Sequence, residues 1–115
     1  MSNSLQVLRA ESRECCPPLA ARPLTAPDAA RLSRVFKALG DPVRLQLVSL
    51  ILASDGGEAC VCDLNGAFDL SQPTISHHLK VLHDAGLLER DKRGVWVHYR
   101  VSRPALAELG DLLAV

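Results

Sequence analysis

Apolar positions recur along this chain at two spacings, and their succession predicts the fold. From Thr25 to Asp28 there is a helix start, with Pro27 near the first turn. Leu32, Val35, Phe36 and Leu39 then follow helical spacing until Gly40. Asp41-Pro42, an N-cap followed by a proline at the first helical position, opens a second helix. Its Leu45, Val48, Leu50, Ile51 and Leu52 make it apolar over much of its surface, so it should be central. Asp55-Gly56-Gly57 reads as a loop, and a short helix should cover about Asp63 to Phe68. The clearest helix runs from Ser71 to Gly86, with Ile75, Leu79 and Leu82 as one buried stripe and Ser71 as N-cap.

The period then changes. LLERD and VWVHYRVS are strand-like runs on either side of Lys92-Arg93-Gly94, with Val95, Val97, Tyr99 and Val101 alternating with Trp96, His98 and Arg100. They predict a β-hairpin with a basic tip. A last helix, about Arg103 to Leu113, carries Leu106, Leu109, Leu112 and Leu113. Ahead of all this, residues 1–24 form an arm containing Pro17, Pro18 and Pro23, with one short helical segment at 4–11. The division is therefore a 1–24 arm and a 25–115 folded domain. A short helix, the turn Asp69-Leu70-Ser71, an amphipathic helix and a basic hairpin in that order predict a mainly α chain with a β-hairpin wing, a winged helix-turn-helix.

Composition adds the kind of partner. At 115 residues the chain is one ordinary domain with a limited core, which makes a dimer partner plausible. Aromatics are only 3%, so the core must be aliphatic. Thirteen basic and thirteen acidic residues cancel, which argues against a simple polyanion binder. The distribution is uneven, however. Leu45 to Leu79 holds four acids and no Lys or Arg, whereas Lys80 to Arg103 holds six bases against three acids. A local basic patch on a neutral protein is the result. Opposite its buried stripe the 71–84 helix shows Gln72, Ser76, His77 and Lys80, side chains suited to base edges and phosphates in a major groove. Ser71 and Thr74 at its N-terminus can bind a phosphate, and Arg90, Lys92 and Arg93 on the wing can reach the backbone. A solvated face on an ordinary bundle helix would also be polar; the adjacent basic hairpin favours double-stranded DNA. The start of the chain has no apolar stretch of the kind that targets a protein for export, and LVSLILA at 47–53 is too short to span a bilayer, so a cytoplasmic, thiol-reducing setting is expected.

In that setting the four cysteines read as soft-ion ligands more readily than as disulfides. They form two close pairs, Cys15-Cys16 ahead of two prolines and Cys60-Val61-Cys62 within EACVCDLNGAF. Buried cysteine acting as a small hydrophobe is the plainer alternative. On an ideal helix, residues i and i+2 lie about 200° apart. Both thiols could therefore face one ion only if Cys60 and Cys62 precede the helix or chelation distorts it. No Ser-His-Asp pattern, Gly-rich phosphate loop or HExxH is present, so an enzyme is not expected.

FKALGDPVRLQLVSLIL, CVCDL, LSQPTISHHLKVLHDAGLL and RGVWVHYRVS together resemble the ArsR/SmtB family of metal-sensing repressors, from about Leu32 to Ser102. The resemblance implies a homodimer, joined through its first and last helices, that binds a palindromic operator and is released when metal binds. It assigns Gln72, Ser76 and His77 to base contacts, with recognition helices about 34–36 Å apart or a multiple of it. It also implies that Cys60 and Cys62 belong to a metal box. The arsenic repressor's box continues CVCDLC, where this chain has Asn65. Cys15 or Cys16, from the same or the other subunit, could supply the third sulfur that As(III) or Sb(III) takes. The arm resembles a second type of arsenic sensor, whose partner cysteine lies where this chain has Asp55-Gly56-Gly57. Cd(II) or Pb(II) on all four cysteines is the rival within the family. Zn(II) on the last helix is disfavoured, since Glu108 and Asp111 there have no His beside them. A winged-helix repressor sensing thiol oxidation is the alternative outside metal chemistry.

Overall fold

A computed structural model describes residues 18–114. The expected 4–11 helical segment and the Cys15-Cys16 pair lie outside the described residues. In chain order the elements are α1 (Ala26–Leu39), α2 (Pro42–Ala53), a 3-10 turn (Asp55–Gly57), β1 (Glu58–Cys60), α3 (Val61–Asn65), α4 (Gln72–Asp84), β2 (Leu88–Arg93), β3 (Trp96–Val101) and α5 (Arg103–Leu113). The described residues group into two compact units, one made of residues 30–102 and one of 18–29 with 103–114. In the second, the backbone N–H of Leu19 donates to the Leu112 carbonyl at 2.9 Å, and Leu109 and Leu112 of α5 are buried.

The helix boundaries follow from local chemistry. Asp41, in extended backbone, accepts from the N–H groups of Val43 and Arg44 and so caps α2. Ser71 Oγ does the same for Thr74 at the start of α4. At the far end of α4, Gly86 has φ +84°, its N–H reaches the His83 carbonyl, and the N–H of Leu87 reaches that of Leu82. This pair of bonds is the Schellman arrangement, and the buried Leu82 and Leu87 supply its apolar contact. Gly40, expected as a C-terminal stop, has no positive φ. Its smallness matters differently, because a Cβ there would meet the Phe36 carbonyl at 3.3 Å.

The core of the 30–102 unit is aliphatic, with Leu47, Ile51, Leu64, Ile75, Leu79, Leu82 and Leu87 almost fully enclosed. The expected α4 stripe is thus buried. On α2, Val48 and Ile51 are buried as expected and Leu47 joins them, while Leu45, expected among the apolar set, is exposed. On α1, Leu32 is buried but Phe36 is exposed.

The sheet holds a strand that the sequence reading missed. β1 pairs with β3 (Glu58↔Arg100, Ala59↔Tyr99, Cys60↔His98), and β3 pairs with β2, giving the antiparallel order β1-β3-β2. Because β1 must run to Cys60 to complete this ladder, the short helix starts at Val61 and ends at Asn65, earlier than the expected 63–68. The wing tip also differs. Lys92 and Arg93 lie within β2, and the turn is Gly94-Val95 between the paired Arg93 and Trp96. Gly94 has φ +63° at the first central position, where a two-residue hairpin turn of the II′ kind needs glycine. Val95 is the exposed tip rather than the start of a buried face.

Gly86→Ala forces a side chain into the left-handed region and should cost about 1–2 kcal/mol. Gly66→Ala should be close to neutral, since Gly66 has φ −82° and its nearest neighbour to an added Cβ is the Asp63 carbonyl at 3.8 Å. Urea unfolding of the two variants checks the contrast.

Candidate metalloid and DNA interface

The two box cysteines sit on either side of a strand-to-helix joint. Cys60 is the last residue of β1 and the N-cap position of α3, with extended backbone (φ −76°, ψ 147°); Cys62 is in the first turn of the helix. The change of direction between them removes the half-turn separation that a continuous helix would impose. Their sulfurs stand 2.7 Å apart, both cysteines free. The Cys60 thiol beside it, and secondarily burial and the charge of Asp63, push the Cys62 thiol above its ordinary range. A thiophilic ion that binds there as thiolate displaces the thiol proton.

The same thiols line a groove of about 410 Å³. Its walls are Cys60, Val61, Cys62 and Asn65 at the joint, Gln72 and Ser76 from the first two turns of α4, and Arg90, Val95, Trp96, Val97 and Tyr99 from the wing. Two of the expected base-contacting residues and one wing arginine thus share a concavity with the thiols, a convergence that residue spacing did not reveal. Asn65 contributes a buried side-chain oxygen that has no hydrogen-bond partner. His98, the register partner of Cys60, is half-buried with Nδ1 likewise unpartnered. Among the described residues no three His, Cys, Asp or Glu side chains converge as a metal-binding group.

The remaining expected DNA contacts fall into two sets. Ser71, the N-cap of α4, and Gln72, Thr74, Ser76, His77 and Lys80 along the helix are all exposed, whereas Ile75, Leu79 and Leu82 are buried. Lys80 pairs with Asp84 at 2.8 Å. On the wing, Arg90 and Lys92 are exposed and in no ion pair among the described residues. Arg93 is engaged otherwise, donating from both terminal nitrogens to Glu58 at 2.8 Å and from Nε to Asp91 at 2.8 Å. Arg100 adds a 3.3 Å bond to Glu58. These guanidinium groups hold the Glu58 carboxyl down at about 2.

His78, next to His77, faces the interior of the unit. The guanidinium of Arg44 donates to His78 Nδ1 at 3.2 Å and to the Ala38 carbonyl at 2.6 Å. Because guanidinium only donates, His78 Nδ1 is the acceptor in this contact. The Asp41 carboxylate, 4.0 Å away, is beyond hydrogen-bond range of it. The turn between α1 and α2 is in this way tied to the middle of α4.

An exposed helix presented after a short helix and turn, with a two-stranded wing beside it, defines a winged helix-turn-helix of the DNA-binding class. Residues 41–90 match the bacterial regulatory protein, arsR family. Over 69 residues the chain is 54% identical to the arsenical resistance operon repressor of Escherichia coli (strain K12), covering 60% of this chain and 57% of that protein. It is 46% identical over 84 residues to the arsenical resistance operon repressor of Staphylococcus xylosus, covering 73% of this chain and 78% of that one. The chain belongs to the arsR family of bacterial regulatory proteins, a family of transcriptional regulators rather than enzymes. Among solved structures, the homodimeric winged helix-turn-helix DNA-binding domain of a possible ArsR-family regulator from Mycobacterium bovis is similar at TM-score 0.62 and 28% identity, covering 76% of this chain and 82% of that one. A possible transcriptional regulator for arsenical resistance is similar at TM-score 0.60 and 35% identity, covering 69% and 78%. No helix among the described residues is long and apolar enough to cross a membrane.

Two predictions follow from the packing of the site. His78→Ala should lower stability by about 1–2 kcal/mol, the cost of leaving the Arg44 donor unpaired, whereas His77→Ala should leave stability unchanged and weaken DNA binding; unfolding and gel-shift titrations separate them. Glu58 has its folded pKa depressed, so its ion pairs stabilise fully above about pH 4.5 and are lost as pH falls toward 2. Glu58→Gln should therefore shallow the acid limb of a stability-against-pH curve between those values.

Proposed function

We propose that this protein is a homodimeric, metalloid-responsive transcriptional repressor that binds a palindromic operator and releases it when As(III) or Sb(III) is captured by Cys60 and Cys62. One observation carries the reading: the two thiols share a groove with Gln72 and Ser76 of α4 and Arg90 of the wing. A ligand drawn into that groove acts on the elements that must dock on DNA. It can shift the equilibrium only by its preference for one shape over the other, and the strand-to-helix joint is a place where shape and thiol spacing change together. The arsenical resistance repressors among its relatives support the ligand class.

In this reading Gln72, Ser76 and His77 contact base edges, Ser71, Thr74 and Lys80 contact phosphates, and Arg90 and Lys92 extend the contact along the wing. Arg93 joins them only by exchanging its carboxylate partners for phosphate. The arm thiols Cys15 and Cys16 are further sources of sulfur, and Cd(II), Pb(II) or Zn(II) would need them, since the described residues offer two sulfurs. The dimer forms through α1 and α5. Exposed Phe36 on α1 and exposed Leu113 on α5 support this, as apolar surface that a second copy would cover. The protein works in the cytoplasm, where the thiols remain reduced.

The test is a gel-shift on a fragment of the protein's own promoter, with arsenite, antimonite, cadmium, lead, zinc and peroxide added in turn. Arsenite and antimonite should dissociate the complex, and Cys60→Ser with Cys62→Ser should abolish the response while leaving DNA affinity intact. Gln72→Ala should weaken specific binding by about 1–3 kcal/mol. Release by peroxide alone, or an undiminished arsenite response without the two thiols, would replace this reading with another.

A further inference from the structure

Asn65 lies three residues after Cys62 on the same short helix, a spacing that puts two side chains on one face. It lines the groove with both thiols, and its side-chain oxygen is buried without a donor. Such a group is costly to leave unmet. A half-turn of the amide about its terminal torsion exchanges its oxygen and nitrogen, so either can face the groove.

Arsenous acid carries three hydroxyls. Two thiols consume two of them: two As–S bonds form, two As–O bonds break, and each hydroxyl leaves as water with one thiol proton. Arsenic stays trivalent throughout. One hydroxyl remains, and it is both a donor and an acceptor. We propose that Asn65 is a specificity-determining residue of this site, its carboxamide hydrogen-bonding the hydroxyl that the two thiols leave on arsenous acid. The amide then substitutes by hydrogen bonding for a third sulfur. This rests on reading Cys60 and Cys62 as the arsenite ligands.

Selectivity is the consequence. A monosubstituted arylarsenical has two hydroxyls, both lost to sulfur, and leaves nothing for Asn65 to hold. Trp96, the chain's one tryptophan, lines the same groove and reports binding by its fluorescence. Reduced full-length protein is titrated with arsenite and, separately, with phenylarsine oxide, in the wild type and in Asn65→Leu and Asn65→Ala. The arm variant Cys15→Ser with Cys16→Ser and the box variant Cys60→Ser with Cys62→Ser are titrated alongside. Folding and inducer-free operator affinity are checked for each. Both Asn65 variants should bind arsenite about five- to tenfold more weakly, the worth of one hydrogen bond, with phenylarsine oxide unchanged. Asn65→Cys should tighten arsenite relative to phenylarsine oxide. Equal losses for the two arsenicals, no loss for either, or loss of arsenite binding in the arm variant alone would overturn the role of Asn65. Arsenite binding that survives in the box variant would instead overturn the reading on which it rests.

Discussion

The pairing of β1 with β3 is the constraint on which the functional arrangement depends. It is only three residues long, yet it decides where extended backbone must end and where α3 begins. Without it, the segment from Ala59 to Asn65 would be free to continue as one helix, and Cys60 and Cys62 would point to different sides of it. With it, the chain turns sharply between the two residues, and their sulfurs meet at 2.7 Å. The joint is thus both the proposed chelating element and the lead-in to the helix-turn-helix.

Each residue of β1 has a separate connection. Glu58 is held by Arg93 and Arg100 on the outer face of the wing, Ala59 is buried, and Cys60 carries a sulfur into the groove. Exposed ion pairs of this kind contribute little to stability one by one, but a two-pronged guanidinium–carboxylate contact fixes geometry. β1 is therefore bonded to the wing through backbone and side chain alike. A displacement of Cys60 cannot be absorbed by slack in the strand, because the residue two positions before it is fastened to β2 and β3.

Much of this was legible in the residues, and the failures have physical causes. The α4 stripe, its Ser71 cap and its Gly86 stop rest on local rules, and the structure shows each of them in place. The strand Glu58–Cys60 was not legible, because three residues are too few for a period and its stability comes from partners some forty positions away. On α2, Val48 and Ile51 were legible, but Leu45 and Leu47 were not told apart, because leucines surround that helix and the two differ only in what packs against them. The wing's basic tip moved into β2 because Gly94, rather than Lys92-Arg93, is the residue that can adopt the turn. The groove itself was invisible, since Cys60, Gln72, Arg90 and Trp96 come from four elements with no shared spacing.

These placements bear on how capture and release can be coupled in so small a protein. Coupling over a long distance needs an element with two alternative packings, and here the thiols and the side chains proposed to face DNA stand at one groove. Groups that share a concavity need no intermediary. The side chains of Gln72, Ser76 and Arg90 are exposed and make no hydrogen bond or ion pair among the described residues, and hence can turn toward a duplex or toward a ligand. The buried face of α4 is the opposite case. Its leucines are enclosed and His78 is bonded to Arg44, which favours the helix moving as one body under the proposed strain at Val61–Asn65. In the proposed reading, a fixed helix with a deformable approach would turn a change of sulfur spacing into a change of helix orientation. Orientation is what a two-fold pair of recognition helices must conserve to stay in register with DNA.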